Sequence, residues 1–501
     1  MLNVPLIQEG AGLLASWLTP LLIFGGMLLG LVIGVIPGMT AALGLAVILP
    51  LTFSMDALNA LVLMTSVYTG SLTGGGILAI LINTPGTPGA AATTFDGYPM
   101  AKQGRQNEAL GLQIAGSVIG GLFGYLVLLA LIQPMARFAL MFGTPEMLFL
   151  TVFVILMVAT LQSTSYVRTV FAGILGLLLS TIGTSAMTGE PRGTFGLAAL
   201  EDGLPIVLCV IGMFAVPELM NIVARERIAE KLEAGANDMG RLVRGVGDAL
   251  RMPIVWARGS LIGILIGMLP AAGAAIASLL SYSTTARGAQ PNQRFGEGEP
   301  SGVVAAESAN NASEGGSMAV LMALGIPGSA STAVILGGFM LHGLVPGPRL
   351  FTDNGALVYG LILANIAQMA LLGFCALGVA YFVARIVVVP SRILVPALIV
   401  LLAVGAFSFR NNFADIAITF AFGGIGFVFR RHQFALIALM LGLFLGQQID
   451  DDITRFVILY GDDPLSLLER PLTVVLALAS MVLLGWQLRQ AFRTTPDPEP
   501  A

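Results

Sequence analysis

Six stretches of this chain contain no Asp, Glu, Lys or Arg: residues 10–55, 57–95, 109–136, 259–286, 315–348 and 354–384. About 20 apolar residues cross a bilayer as a helix, so the longest of these runs hold more than one crossing each. Shorter runs at 147–167, 169–189, 203–217, 393–409, 416–429, 432–449 and 471–488 add one apiece, for about 11–14 membrane segments. Only 10% of the 501 residues are charged, and so few charges could not solvate the surface of a globule this large. A transmembrane β-barrel would alternate apolar and polar residues over strands of about ten residues, a pattern missing here. The chain is therefore expected to be an all-α polytopic protein of the lipid bilayer.

One stretch looks soluble. Arg225–Arg258 mixes seven basic with five acidic residues, and its basic excess marks it as cytoplasmic by the positive-inside rule. It divides the chain into a first membrane half (1–224), a linker (225–258), a second membrane half (259–488) and a tail (489–501). The halves resemble each other. Gly30-Leu-Val-Ile-Gly34-Val-Ile-Pro37-Gly38 reads against Gly263-Ile-Leu-Ile-Gly267-Met-Leu-Pro270-Ala271 at an offset of 233. Asn83-Thr84-Pro85-Gly86-Thr87 reads against Gly325-Ile326-Pro327-Gly328-Ser329 at an offset of 242. The nine extra residues fit in the polar segment Arg287–Pro300. Basic residues after the first Pro-Gly element (Lys102, Arg105) place that loop inside. Counting back from Arg489 and Arg430-Arg431 through the acidic Asp450–Asp463 stretch places the loop after the second one outside. The two repeats are thus expected to be inverted, an arrangement that many secondary transporters use.

Pro37, Pro85, Pro88, Pro270 and Pro327 interrupt charge-free segments, four of them followed by Gly. Proline removes a donor and disfavours helix in the residue before it, while Gly permits positive φ and close backbone approach. The result is a broken helix, or re-entrant hairpin, whose second part begins with free N–H groups that attract anions. Short polar side chains gather there, and the expected substrate-binding set is Pro37, Gly38, Thr40, Asn83, Thr84, Pro85, Gly86, Thr87, Pro327, Gly328, Ser329 and Ser331. Such a set suits a carboxylate accompanied by a small cation. Taken singly, each Pro-Gly pair reads as a kink or packing notch; it is their occurrence at corresponding positions of the two repeats that points to a binding site. A second cluster, Glu307-Ser308-Ala309-Asn310-Asn311-Ala312-Ser313-Glu314, puts Glu307, Asn311 and Glu314 on one helical face. Carboxylates inside a membrane are costly and mark ion or proton sites. Glu307, Asn310 and Asn311 are the expected cation-coupling residues, unless the cluster is a solvated re-entry loop. Asp96 reads as a helix-ending turn or a ligand, and Asp56 as an interfacial loop residue.

Cys209 and Cys375 both lie in apolar segments and offer no disulfide framework. The N-terminus lacks a basic n-region, so its first helix is expected to direct insertion. A net charge of −4 points to no nucleic-acid partner. No metal-ligand spacing, catalytic Ser-His-Asp set or Walker A sequence occurs, so no metal, cofactor or catalytic residue is expected.

Gly34-Val-Ile-Pro37-Gly38, Ile82-Asn-Thr-Pro-Gly-Thr-Pro-Gly-Ala90, Asp96-Gly-Tyr-Pro99, Glu307-Ser-Ala-Asn-Asn-Ala312 and Leu324-Gly-Ile-Pro-Gly-Ser329 together resemble the large membrane subunit of tripartite tricarboxylate transporters, the TctA type. The resemblance covers nearly the whole chain. It implies a multi-pass permease of the bacterial inner membrane that works with a periplasmic solute-binding protein and a small four-helix membrane subunit. It also implies uptake of di- and tricarboxylates driven by an ion, Na⁺ or H⁺. One departure from a simple account is the lack of Arg or Lys at the Pro-Gly loops. The rival reading is an intramembrane enzyme acting on a lipid-linked or peptide substrate.

Overall fold

The computed structural model of the chain describes residues 3–162, 166–184, 189–223, 238–386, 391–461, 467 and 469–491. Within the first half lie α1 (Val4–Leu13), α2 (Leu18–Gly34), α3 (Ala41–Ile48), α4 (Ala57–Ile82), α5 (Thr93–Lys102), α6 (Gln106–Ala139), α7 (Thr144–Gln162), α8 (Tyr166–Ser180) and α9 (Ile206–Val223). Then follow α10 (Met239–Leu250), α11 (Pro253–Gly267), α12 (Gly273–Arg287), α13 (Pro300–Leu324), α14 (Ala330–Leu341), α15 (Pro348–Asp353) and α16 (Gly355–Ile386). The last four are α17 (Ser391–Arg410), α18 (Phe413–Arg431), α19 (Leu436–Tyr460) and α20 (Pro471–Ala491). Among the described residues the only strands are a two-residue antiparallel pair, Gly183–Thr184 with Pro191–Arg192. Among the described residues seven helices are long and apolar enough to cross a bilayer, and the bent pairs α1–α2 (79°) and α10–α11 (77°) also qualify. Four shorter apolar helices accompany them. The chain is an all-α polytopic membrane protein.

Two compact units are present: Met1–Ala139 with Val210–Gly424, and Leu140–Cys209 with Ile425–Ala501. In the first, the expected breaks fall where Pro and Gly stand. Helix α2 stops before Pro37, and the chain resumes as α3, whose Thr40 N-cap accepts from the Leu43 N–H at 3.3 Å. Helix α11 stops before Pro270 and resumes as α12. Gly38 (φ +89°) and Ala271 (φ +62°), aligned by the 233 offset, both adopt the left-handed conformation. So do Asn83 (φ +56°) and Gly325 (φ +72°), aligned by the 242 offset and ending α4 and α13.

Packing repeats at the same offsets. A Cβ on Gly30 or Gly34 of α2 would collide with the carbonyl of Val67 or Ser71 on α4. One on Gly263 or Gly267 of α11 would collide with that of Ala309 or Ser313 on α13. Reciprocally, Gly74 faces the Leu31 carbonyl and Gly316 that of Ile264. Each pair is a small-xxx-small contact in which backbones touch. Between the pairs, Glu307, Asn311 and Glu314 of α13 meet Gly76, Thr73 and Thr69 of α4 in turn. Numbers rise on one helix as they fall on the other, so these equivalent helices run antiparallel, as inverted repeats require.

The polar stretch between the halves is only partly described, residues 224–237 lying outside the described set. Its later part is the amphipathic helix α10, capped by Asp238, whose Gly245 packs against the Glu108 carbonyl of α6. In the second unit α8 and α19 pack through glycines, Gly176 on the Leu439 carbonyl and Gly442 on that of Gly173. There Arg470 pairs with Glu146 at 2.7 Å and Arg192 with Asp450 at 2.8 Å.

Candidate functional site

Helix α13 passes through the centre of the first unit, with every residue from Ser301 to Ala323 buried. Its start is set by Pro300 at the first turn and by Glu299, which accepts from the Ser301 N–H. The acidic and amide residues at 307–314 therefore sit mid-helix among packed neighbours, which overturns the solvated-loop alternative. Both carboxylates are fully buried. Burying a charge that has neither partner nor hydrogen bonds is prohibitive, so their surroundings are the informative feature.

Glu307 is enclosed by donors. Thr93 of α5 donates to Oε1 at 2.5 Å, while Ser117 of α6 (2.9 Å), Gln113 (3.3 Å) and Asn310 (3.4 Å) donate to Oε2. Gln113 also donates to the Thr73 carbonyl at 3.0 Å. Glu314 is served differently: Thr69 and Tyr125 both donate to Oε1 at 2.6 Å, and Oε2 has no partner. Asn311 donates to the Thr73 hydroxyl at 3.1 Å, leaving its own oxygen bare. The Asn310 oxygen and the Thr87 hydroxyl are likewise buried without partners. Buried polar atoms are normally paired, so a concentration of bare acceptors is a chemical feature of this core. Among the described residues no group of three or more His, Cys, Asp or Glu could hold a metal ion.

Both Pro-Gly turns border this core. At the first, Gly86 donates its N–H to the Gly75 carbonyl at 3.3 Å, and a side chain there would strike the Gly34 carbonyl. A side chain on Gly89 would strike the Asn310 oxygen and press on Ala274 of α12 at 2.8 Å. At the second, a side chain on Gly328 would meet the Ser317 hydroxyl at 2.7 Å and the Gly267 carbonyl at 2.9 Å. Ser329 caps α14 reciprocally with Thr332. A Cβ on Gly273 would touch Ser329 at 3.6 Å, so consecutive residues at the start of α12 adjoin both turns. Pro37, Thr87, Pro327, Gly328 and Ser331 are buried; Gly38, Thr40, Thr84, Pro85 and Ser329 are half-buried, and Asn83 is exposed.

An open cleft of about 580 Å³ lies at the first turn, lined by Asn83, Pro85, Thr94, Tyr98 and Lys102, among others. Lys102 stands 4.8 Å over the Tyr98 ring. This corrects the expectation that no Lys or Arg attends the Pro-Gly loops: Lys102, one turn beyond Tyr98 on α5, belongs to the cleft. Asp96 is also corrected. It lies in the first turn of α5, fully buried. Its Oδ1 accepts the N–H groups of Gly296 (2.8 Å), Gly298 (2.9 Å) and Glu299 (2.9 Å), and its Oδ2 accepts from Tyr282 at 2.9 Å. Asp96 thus clasps the inserted segment of the second half. Asp56 is the N-cap of α4, accepting the Asn59 N–H at 3.0 Å.

The partners of the carboxylates went unread in the sequence, although a signal exists. Gln113, Ser117 and Tyr125 are spaced by four and eight within the charge-free run of α6, a polar stripe on one face.

The family model for the tripartite tricarboxylate transporter TctA family matches residues 21–441. An uncharacterized 52.8 kDa protein of the TAR-I ttuC′ 3′ region of Agrobacterium vitis is 32% identical over 474 residues, 95% of this chain and 94% of that protein. A protein of the TAR-II ttuC′ 3′ region of the same organism is 31% identical over 235 residues, 47% of this chain and 97% of its own length. No solved structure matches. A match that takes in both broken-helix pairs and the buried α13 leaves one assignment, a carrier family: the chain belongs to the tripartite tricarboxylate transporter TctA family.

Proposed function

We propose that the protein is the permease of an ion-coupled secondary carrier that moves organic di- and tricarboxylates across the bacterial inner membrane. In this reading a periplasmic solute-binding protein delivers the substrate, and a small four-helix membrane subunit completes the complex. The carboxylate binds at the turns, with Pro37, Gly38 and Thr40 from the first break, Asn83–Thr87 from the first hairpin, and Pro327, Gly328, Ser329 and Ser331 from the second. Lys102 supplies positive charge at the cleft beside Asn83.

The observation that carries the proposal is the set of bare acceptors beside the first turn. The Asn310 oxygen abuts Gly89, and the Thr87 hydroxyl abuts Gly75, both buried and unpaired. Oxygen atoms without donors suit a cation, and Glu307 supplies a net charge behind them. Na⁺ or H⁺ held by Glu307, Asn310 and Asn311 would neutralise part of the substrate's charge in a low-dielectric site. Two ligands that stabilise each other in this way have reciprocally dependent affinities, which is the thermodynamic basis of coupling.

The test is uptake of labelled carboxylates into proteoliposomes holding all three components, with Na⁺ and pH gradients imposed separately. Accumulation should follow one of the gradients and lose that dependence in Glu307→Gln. Accumulation that ignores both gradients and follows ATP would overturn the reading. Orientation is tested by cysteine labelling: residues near Asp450 should be reached from the periplasmic face and those near Arg258 from the cytoplasmic face.

A further inference from the structure

We propose that Glu314 is a proton-binding site separate from Glu307, in which protonated Oε2 donates to the side-chain oxygen of Asn311. The two carboxylates lie seven residues apart on one helix, yet their environments differ in kind. Four donors from three helices converge on Glu307, which satisfies both oxygens of a carboxylate. Glu314 receives two donors on one oxygen and none on the other. A bare carboxylate oxygen buried at the centre of a membrane protein needs a proton or a cation.

The surroundings select the proton. Asn311 stands three residues before Glu314, and both reach α4 one turn apart, at Thr73 and Thr69. Its oxygen is also bare and buried, and a residue three positions before Glu314 shares its face of α13. A bound metal cation of the hard, oxygen-loving kind takes about six oxygens, whereas a proton needs one acceptor. Binding forms an O–H bond at Oε2 and breaks none in the chain. Oε1 is then the carbonyl oxygen, and it keeps both of its donors. The titratable groups facing Glu314 are Tyr125 from α6 and Tyr68 from α4. From α16 the facing side chains are the neutral amides Asn365 and Gln368, the latter donating to Thr69 at 3.2 Å. From α11 the contacts on α13 are glycines.

The geometry stands without the transport proposal; only the second measurement below rests on it. Infrared difference spectra of the full-length protein in detergent, taken across a pH titration, should show a buried protonated-carboxyl band. That band should be lost in Glu314→Gln and kept in Glu307→Gln. A band that survives at full intensity in Glu314→Gln overturns the proposal. So does the lack of any such band at every pH, which would mean that the Asn311 amide has turned to donate to a permanently charged Glu314. Should Glu314→Gln fail to fold, Tyr125→Phe removes one donor to the carbonyl and should move the band to higher frequency; an unmoved band refutes the assignment. In proteoliposomes, Glu314→Gln should lower pH-driven accumulation at least tenfold. An intact band with transport indifferent to both the pH and the Na⁺ gradient counts against the coupled-carrier reading and leaves the proton site standing.

Discussion

Glu307→Ala and Glu307→Gln should separate sharply in stability, and the hydrogen bonds say by how much. Alanine removes the acceptor of four donors. The Thr93 and Ser117 hydroxyls can turn toward other acceptors, and Gln113 keeps the Thr73 carbonyl at 3.0 Å. The Asn310 amide has no second partner among the described residues, and stranding a buried donor costs about 1–3 kcal/mol. Emptying the volume of a buried long side chain adds about 2–5 kcal/mol where neighbours cannot collapse. The alanine variant should therefore lose roughly 3–8 kcal/mol. Glutamine keeps the volume. Its oxygen takes the three donors at the Oε2 position, and its amide faces the Thr93 hydroxyl, which can accept. Trading charged for neutral hydrogen bonds while removing a buried charge should keep this variant within about 2 kcal/mol of wild type. Thermal denaturation in detergent, followed as retained monodispersity, measures both. Equal melting temperatures for the two variants would refute the claim that the donor cage holds α13 in place.

Three further outcomes follow from the packing. Gly34→Ala and Gly267→Ala should each destabilise by about 1–3 kcal/mol, because the added methyl meets a backbone carbonyl, while Gly12→Ala and Gly485→Ala, with open space around them, should be near neutral in the same assay. Ala271→Gly should raise the melting temperature, since an alanine at φ +62° costs about 1–2 kcal/mol that glycine does not. Asp96→Ala should strip hydrogen-exchange protection from Gly296–Glu299, with about 1–3 kcal/mol lost at the buried Gly298 N–H, and Asp96→Asn should keep most of it.

Where backbone chemistry dictates structure, the sequence was readable. Pro37, Pro270, Pro85 and Pro327 announce the breaks because a ring nitrogen cannot donate, and the two offsets that align these residues reappear as matched glycine–carbonyl contacts. The carboxylates of α13 were readable as a cluster because charge is so scarce around them. Their difference was not. Glu307 and Glu314 look alike in the sequence, and what distinguishes them comes from Thr93, Gln113, Ser117 and Tyr125, brought in by helices some two hundred residues away. Asp96 was misread for the same reason. Its role rests on three backbone N–H groups of the inserted segment, and a main-chain donor leaves no trace in residue identity. Lys102 was counted only as a loop charge, since nothing local reveals that α5 folds back along the first turn.

The glycine–carbonyl contacts have a mechanical consequence. At the glycine contacts of α2 with α4 and of α11 with α13, main chain rests on main chain, with no rotamers there to absorb a displacement. Each pair should behave as a stiff rod with its hairpin attached. The compliant joint is the crossing of α4 with α13, made of side chains whose bonds can be exchanged. Along α4 the hydroxyls of Thr65, Thr69 and Thr73 recur every four residues, like teeth spaced about 6 Å apart along the helix axis. A load applied at either turn would be borne at that joint, where the two carboxylates lie.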